Sequence, residues 1–175
     1  MLNKKGNKNE KGLKKYRSKR RFESTNEPYG SERGCQQGNR FVVHRHKATH
    51  LHYDLRLEMD GVLKSWAVPK GLSEEVGIKR LAVQVEDHPL DYIDFEGIIP
   101  EGNYGAGAVE IWDRGTYLIQ KRTSKHIDFI FSGKRLKGPY SLIYMSGKNW
   151  LIIKRKMGDG RRQNSEFRIQ KREDS

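Results

Sequence analysis

The chain has 175 residues, a formal net charge of +13 and only 34% hydrophobic residues. This length allows one domain with a real core, and the low hydrophobic content predicts that part of the chain does not pack. Cys35 is the only cysteine, which excludes an internal disulfide and Cys-based zinc sites. No stretch approaches the roughly 18 apolar residues of a membrane span, and the N-terminus lacks the apolar segment of a secretory signal, so we expect a soluble cytoplasmic protein.

The positive charge is concentrated near the N-terminus. Residues 1–40 hold 12 Lys and Arg against four Asp and Glu, whereas residues 81–113 hold eight acids and neither Lys nor Arg. We predict a disordered basic tail over residues 1–15 and an N-terminal arm over residues 16–39. Charge of this size favours nucleic acid as the partner, because neutralising phosphates releases condensed counterions. A basic surface without chemistry is the alternative.

From residue 40 onward, the sequence predicts short strands and no long helix. The predicted strands cover residues 40–46, 50–59, 62–69, 80–87, 107–115, 116–122, 126–133, 140–145 and 149–156. Turn signals at 59–62, 113–116 and 146–149 make the pairing mainly antiparallel, and residues 72–77 can form one helical turn. Short strands at this regular spacing indicate an all-β sandwich or barrel over residues 40–156. Residues 157–175 are expected to form a basic tail or, at 166–172, an edge strand.

The stretch "THLHYDLRLEMDG", residues 49–61, has an unusual polar face. Side chains two positions apart in a strand point to the same side, so His52, Asp54 and Arg56 share one face. His46 ends the preceding strand, and a short turn can bring it alongside. Two imidazoles and a carboxylate suit Mn²⁺, Zn²⁺, Fe²⁺ or Co²⁺ and leave coordination positions open. The alternative is a solvated face on which Arg56 pairs with acidic neighbours.

Arg56 cannot ligate a metal ion, and its charge would repel one unless an anion lay between them. A phosphate that bridges the metal ion and the guanidinium removes this conflict. His88 is held extended before Pro89 and can give a proton or a hydrogen bond to a phosphoryl oxygen. Further candidates for phosphate contact are Tyr92, Lys70 and Arg80.

Three stretches together resemble a known family. They read "FVVHRHKATHLHYDLRLEMDGVLKSWAVPKG", "RLAVQVEDHPLDYIDFEGIIPEGNYGAGAVEIWDRG" and "RLKGPYSLIYMSGKNWLIIKRK". Over about residues 16–156, the chain resembles the 3′-phosphoesterase module of bacterial DNA ligase D, which also occurs as stand-alone bacterial and archaeal proteins. No polymerase or ligase segment follows in this sequence, so we expect a free-standing form.

The resemblance implies a single compact antiparallel β-barrel with short flanking helical turns and a basic N-terminal arm that contributes to the active site. It implies a Mn²⁺-dependent enzyme, with Zn²⁺ or Co²⁺ as other metals that the ligands accept. Such an enzyme removes a 3′-phosphate, and in a second activity a 3′-terminal ribonucleoside, to leave a 3′-hydroxyl for repair by non-homologous end joining. The implied partners are nucleic-acid 3′ ends in a primer–template duplex and separate ligase or polymerase proteins, and the protein itself is expected to be a monomer.

The resemblance also assigns site residues by motif. The metal ligands would be His46, His52 and Asp54, and the groups on the phosphate would be Arg56, His88 and Tyr92. Supporting positions would be Lys70, Arg80, Glu86, Arg20 and Glu27. The arm of the family usually reads Lys-Arg-Asp-Phe, whereas Arg21 stands at the aspartate position here. This arm bears on the step that removes a ribonucleoside.

Two other functions fit parts of the pattern. His52, Asp54 and His88 also fit the facial triad of a non-haem Fe(II) oxygenase on a β-barrel. That function leaves Arg56, His46 and the large positive charge without a role. A non-catalytic nucleic-acid-binding module would leave the His/Asp face as solvated surface, so it predicts no bound metal and no effect of a chelator.

Overall fold

A computed structural model describes residues 8–30 and 38–158 of the chain, without the side chains of residues 8–11. These residues form one α-helix, one 3₁₀ helix and nine strands. In chain order the elements are α1 (Lys8–Ser18), β1 (Arg40–Lys47), β2 (Leu51–Met59), β3 (Val62–Val68), β4 (Lys79–His88), the 3₁₀ helix η1 (Leu90–Asp94), β5 (Gly97–Ile99), β6 (Gly107–Arg122), β7 (His126–Gly133), β8 (Lys137–Ser146) and β9 (Asn149–Lys154). In this part of the chain no helix is both long and apolar enough to cross a bilayer.

Eight of the nine strands close into an antiparallel barrel. Their order around the barrel is β1-β2-β3-β4-β9-β8-β7-β6, and the pairing of β6 with β1 closes the ring. β5 is outside this ring and pairs with the beginning of β6. The all-β antiparallel barrel expected from the sequence is confirmed.

The tight turn predicted between β2 and β3 is also confirmed. Asp60 and Gly61 adopt φ values of 56° and 77°, as a type I′ turn requires at both central positions. Met59 pairs with Val62 across this turn. The turn therefore sets the register of β2 against β3 over their whole length.

The hairpin predicted at residues 113–116 is wrong, because β6 runs unbroken through these positions. β6 pairs first with β1 and then with β7. Gly115 is needed for close packing rather than for a turn, since a Cβ there would lie 2.2 Å from the carbonyl oxygen of Ser132. Asp113 accepts three backbone N–H groups from residues 134–136, so it stabilises the turn between β7 and β8 instead.

Helix α1 begins within the segment that the sequence predicted to be disordered. That prediction is wrong for residues 8–15, while residues 1–7 lie outside the described part of the chain. Tyr16 is fully buried and packs with Val42, Leu63, Tyr92 and Ile93 in a small cluster on the outside of the barrel. The prediction of disorder relied on the basic charge of the segment. It did not take into account that Tyr16 can pack on the barrel and hold the helix there.

Two smaller predictions near the chain's loops and end have different outcomes. No helical turn forms at residues 72–77, where Val76 makes an isolated β-bridge with Lys154. The possible strand at 166–172 lies outside the described residues.

Strand β2 is buried on both sides from Asp54 to Met59, where it separates two packing regions. Leu55, Leu57 and Met59 belong to the main core inside the barrel. The alternate side chains, among them Asp54 and Arg56, face outward but are also buried, because α1, the arm that follows it and η1 cover this side of the barrel. A covered polar face therefore lies between the barrel wall and the N-terminal segment.

Candidate active site

Strand register brings His46 to the polar face of β2. β1 and β2 pair so that His46 stands opposite His52, and Val42 stands opposite Arg56. Directly opposed residues of antiparallel strands have neighbouring side chains on the same side of the sheet. The ligand atoms of His46, His52 and Asp54 all lie within 4.8 Å of one another. One hairpin thus assembles the predicted metal-ligand trio.

Backbone carbonyls determine which imidazole nitrogen faces the centre of this trio. His46 Nε2 lies 2.7 Å from the Gly105 carbonyl oxygen, and His52 Nδ1 lies 2.9 Å from that of His50. A carbonyl oxygen only accepts, so each of these nitrogens donates, and the other ring nitrogen carries a lone pair in the neutral imidazole. Metal-bound histidines usually have outer hydrogen bonds of this kind.

Both inner nitrogens face the carboxylate of Asp54. His46 Nδ1 is 3.4 Å from Asp54 Oδ2, and His52 Nε2 is 3.4 Å from Asp54 Oδ1. Lone pairs directed at a carboxylate repel it unless protons or a cation lie between them. A divalent cation satisfies all three groups at once, and three protein ligands leave positions open for water or substrate. The donor set therefore fits the expected metal ion.

Arg56 is buried beside the trio and is held at three of its nitrogens. Nη1 donates to Ser65 Oγ at 2.9 Å, and Nη2 donates to Asp54 Oδ2 at 3.4 Å. Nε donates to His44 Nδ1 at 3.3 Å, while His44 Nε2 donates to the Phe95 carbonyl at 3.0 Å. These contacts fix the charge and the plane of the guanidinium next to the predicted metal-ligand trio.

His88, the last residue of β4, faces the same space. Its Nδ1 donates to the Glu86 carbonyl at 2.9 Å, which leaves Nε2 to accept from Arg20 Nη2 at 3.3 Å. Burial, with the charges of Arg56 and Arg20, holds the pKa of His88 well below its ordinary value. In this state Nε2 is an acceptor, so the predicted donation to a phosphate oxygen requires that the imidazole first take up a proton.

The arm after α1 contributes Arg20 and Glu27 to the site. Arg20 Nε donates to Glu27 Oε1 at 3.0 Å, and Arg20 Nη1 lies 3.4 Å from Glu86 Oε1. The Tyr92 hydroxyl donates to the same Glu27 oxygen at 2.9 Å, which ties η1 to the arm. Lys19 Nζ lies 3.1 Å from Glu86 Oε2. The arm and the barrel are therefore joined by one network of buried charges.

At neutral pH, Asp54 and Glu86 are ionised and Tyr92 keeps its proton. Burial opposes ionisation of Asp54, but the positive charge beside it, chiefly that of Arg56, outweighs burial and holds the pKa of Asp54 well below its ordinary value. Burial also opposes ionisation of Glu86, whose pKa is lowered overall by its own backbone N–H and by Lys19. Burial raises the pKa of Tyr92 well above its ordinary value, so its hydroxyl remains a donor.

Nine of the eleven predicted site residues line one cavity of about 250 Å³. They are His46, His52, Asp54, Arg56, His88, Tyr92, Glu86, Arg20 and Glu27. The structure does not bring Lys70 and Arg80 to this cavity. Lys70 is exposed just after β3, and Arg80 alternates with Ala82, which packs in the barrel core.

The sequence prediction missed His44 and Tyr104, and also Ser65 and Gly105, which hydrogen-bond to Arg56 and His46. His44 holds Arg56, and burial, together with the Arg56 charge, lowers the pKa of His44 to about 3, so its Nδ1 is an acceptor at neutral pH. Its alternation with His46 along one strand is the signal that could have found it. Tyr104 lines the cavity from a Gly-rich loop, and no periodicity marks a loop residue.

The arrangement can hold a cation and an anion side by side. The trio provides ligands for a divalent metal ion. Arg56 and Arg20 line the same cavity and present guanidinium N–H groups, which match the oxygens of a phosphate. An oxyanion here would therefore have the metal ion on one side and a guanidinium on the other.

A family model and several known proteins match most of this chain. The family model described as the DNA ligase D 3′-phosphoesterase domain matches residues 44–144. The multifunctional non-homologous end joining protein LigD of Pseudomonas aeruginosa is 49% identical over 162 residues, which cover 86% of this chain and 19% of that protein. The protein of the same name from Mycolicibacterium smegmatis is 45% identical over 156 residues, which cover 82% of this chain and 20% of that protein.

A third relative gives the same result. The multifunctional non-homologous end joining DNA repair protein LigD of Mycobacterium tuberculosis is 46% identical over 144 residues, which cover 79% of this chain and 19% of that protein. The chain thus spans about one fifth of the length of the curated relatives that it matches. The resemblance seen in the sequence is confirmed, and the chain belongs to the family of the DNA ligase D 3′-phosphoesterase domain.

Proposed function

We propose that this protein is a divalent-metal-dependent phosphoesterase that acts at the 3′ ends of nucleic-acid strands and removes a 3′-phosphate to leave a 3′-hydroxyl. The observation that carries the proposal is the single cavity that contains the His46, His52 and Asp54 trio together with Arg56 and His88. Family membership supports the same reaction class.

The hydrolysis balances as a transfer of the phosphoryl group to water. The oxygen of a water molecule forms a bond to phosphorus, the bond between phosphorus and the 3′ oxygen breaks, and a proton goes to the leaving 3′ oxygen. A divalent cation bound to the trio would polarise a phosphoryl oxygen and lower the pKa of a bound water. We propose Mn²⁺ for this position on the strength of the family, and the same ligands accept Zn²⁺ or Co²⁺.

The protein's own residues would stabilise charge on the phosphoryl oxygens. Arg56 is already oriented by Ser65 and His44, so it needs little reorganisation when the oxygens gain charge. A phosphate placed near His88 would favour the imidazolium, because an adjacent negative charge raises the pKa of a histidine. His88 would then donate from Nε2, the atom that faces Arg20 in this structure.

Removal of a 3′-terminal ribonucleoside is the second proposed activity. Arg20 and Glu27 of the arm reach the cavity, and Arg21, beside them, is exposed. We propose that the arm binds the strand end, that the substrate is a primer–template duplex, and that the protein acts as a monomer before a separate ligase or polymerase that needs a 3′-hydroxyl.

The test uses purified protein with Mn²⁺ and a primer–template duplex ending in a 3′-phosphate or in a 3′-ribonucleoside. We expect conversion of the 3′-phosphate end to a 3′-hydroxyl with release of inorganic phosphate, resolved on a sequencing gel. His52→Ala and Arg56→Ala should lose the activity, and full activity in either variant would contradict the proposal.

The same preparation separates the rival functions. The oxygenase prediction used His88 as a ligand, but His88 Nε2 faces Arg20 and lies outside the trio. The trio itself has the two-His, one-carboxylate composition of a facial triad, so oxygen consumption with 2-oxoglutarate and Fe²⁺ is the decisive comparison, and we expect none. A non-catalytic binding module would show no loss of function on chelation.

A further inference from the structure

Tyr104 is an aromatic side chain at the cavity that holds the metal-ligand trio, and 48% of it is exposed. Its contacts come from two cations of the arm. Lys19 Nζ lies 4.5 Å from the centre of its ring and Arg20 Cζ lies 5.5 Å from it. No other aromatic ring within the described residues packs against it, although most rings of the site side do have such a neighbour. An exposed aromatic ring at the edge of a cavity can contact a planar group of a bound ligand.

The loop that carries Tyr104 is held in place on both sides of the ring. Before it, the Asn103 amide donates to the Ser24 carbonyl at 3.2 Å and accepts from the Ser24 hydroxyl at 2.7 Å. After it, the Gly105 carbonyl accepts the 2.7 Å hydrogen bond from His46. The ring is therefore attached, through one residue on each side, to the arm and to a metal ligand.

We infer that Tyr104 stacks on the base of the nucleotide that carries the 3′-phosphate. This inference rests on the proposed function and adds a residue that selects the end of a strand. An internal base is stacked on both faces, whereas the last base of a strand has one free face. An aromatic ring next to the phosphate site can cover that free face whatever the base is, because every base has a π surface.

The cations around Tyr104 agree with this role. Lys19 and Arg20 lie near both the ring and the buried acid Glu86, so their ion pairs hold N–H donors beside the ring, where the strand backbone would pass. Lys19 Nζ also donates to the Tyr104 hydroxyl at 3.3 Å. A purely structural role for Tyr104, as a partner of Lys19, would depend on that hydroxyl. Stacking depends on the ring alone.

The experiment compares two substrates and three proteins. One primer–template ends in a normal nucleotide with a 3′-phosphate, and the other ends in a base-free tetrahydrofuran analogue with the same 3′-phosphate. We expect Tyr104→Leu to raise KM for the normal end about tenfold with kcat little changed, and to leave KM for the base-free end unaltered. Tyr104→Phe should behave as wild type on both. An equal rise for both ends, or no rise for either, overturns the inference.

A spectroscopic readout tests stacking without turnover. The 3′-phosphate nucleotide is replaced by 2-aminopurine, whose fluorescence falls on stacking, and binding is followed after chelation of metal ions. Wild type and Tyr104→Phe should quench the bound probe more than Tyr104→Leu does, and equal quenching by all three contradicts the inference. If the wild type releases no phosphate from either end, the proposed function fails, while this quenching still decides the role of Tyr104.

Tyr29→Leu is the matched control. Tyr29 is also a tyrosine beneath a cation, with Arg17 Cζ 4.2 Å from its ring, and 57% of it is exposed. It does not line the cavity. The Tyr29 variant should therefore retain the KM and the quenching of the wild type, and a change as large as that of Tyr104→Leu would assign the effect to general loss of the arm's packing instead.

Discussion

Two histidine–aspartate pairs with the same spacing lie in different parts of this barrel. His52 and Asp54 are on β2, and His126 and Asp128 are on β7. The imidazole–carboxylate distances are 3.4 Å in the first pair and 2.7 Å in the second. Only the first pair lines the cavity and belongs to a group that could hold a metal ion, among the residues that the structure describes.

The neighbours explain the difference between these pairs. His126 faces one carboxylate and can satisfy it with one proton, and the Ser141 hydroxyl donates to the same Asp128 oxygen. Asp54 instead faces two imidazoles whose outer nitrogens already donate to carbonyls. The first arrangement is complete with one proton, whereas the second needs a proton on each imidazole or one divalent cation that serves all three groups. A His-x-Asp pattern becomes a site only through what the adjacent strands and the arm add to it.

The largest difference between the pairs should appear in catalysis. Asp54→Asn removes the anionic ligand, so we expect phosphate release from a 3′-phosphate end to fall about a thousandfold, or roughly 4 kcal/mol of transition-state stabilisation. Asp128→Asn should keep wild-type activity. Initial rates at saturating Mn²⁺ measure both, and equal loss in the two variants would mean that the pairs do not differ in function.

The next effect concerns the arginine beside each pair. Arg56 is buried between Asp54 and Ser65, whereas Arg155 Nε lies 3.9 Å from Asp128. Arg56→Lys keeps the charge but loses the planar set of donors, and we expect kcat to fall about a hundredfold. Arg155→Lys should leave kcat unchanged. Full activity in Arg56→Lys would show that only the positive charge of Arg56 matters for catalysis, and that its planar set of donors does not.

A pH effect on stability should come from the buried imidazoles of His88 and His44, which lie near the cavity pair. The folded-state pKa of His88 is well below the ordinary value of 6.5. Below about pH 6.5, the unfolded chain therefore binds a proton that the folded protein does not, and stability falls with falling pH by up to about 1.4 kcal/mol per unit until the lowered pKa is reached. Urea unfolding from pH 7.5 to 5 should show a smaller decline in His88→Gln, and identical slopes would exclude this origin.

The smallest effect is expected at the second pair. Asp128 exposes 18% of its side chain and accepts from Ser141 and His126. Asp128→Asn retains an accepting oxygen, so the free energy of unfolding should fall by about 1 kcal/mol or less. Urea denaturation of the wild type and the variant measures this difference. A loss of several kcal/mol would show that this pair is structurally as important as the first.

The sequence predicted the site best where strand alternation alone decides it. His52, Asp54 and Arg56 lie on one face of β2 because that strand is regular, and His46 joins them through a short hairpin. On β4, strict alternation does not predict which side chains face the site. The pairing with β3 shifts register between Leu63 and Ser65, and no residue pattern announces such a shift.

This irregularity explains why Arg80, which the family resemblance assigns to the site, does not line the cavity. Counting back from His88 puts Arg80 on the site face, but Val85, Glu86 and His88 all line the cavity, so the face changes between Val85 and Glu86. Gln84 is on the other side of the sheet, where it accepts from Trp150 Nε1. Arg80 therefore falls on the side of the barrel core.

Local sequence patterns could not predict the contacts between distant segments of the chain. Glu27 accepts from Tyr92 across 65 positions of sequence, and the link depends on how α1 packs on the barrel. Family resemblance assigned both residues to the site, and only the fold explains why they meet. The carbonyl of Gly105 orients His46 from a loop 59 positions away, and neither local patterns nor the family resemblance assigned Gly105 to the site.

The central claim is that His46, His52 and Asp54 form a metal centre, and a Mn²⁺ titration of chelator-treated protein tests it most directly. Loss of the free-ion electron paramagnetic resonance signal counts bound ions, and spin-echo modulation detects coordinated imidazole nitrogens. We predict one tightly bound Mn²⁺ per chain with two imidazole ligands, affinity weakened at least about tenfold in His52→Gln, and wild-type binding in His126→Gln. Binding of Mn²⁺ as tight in His52→Gln as in the wild type, or no binding in the wild type, would contradict the account.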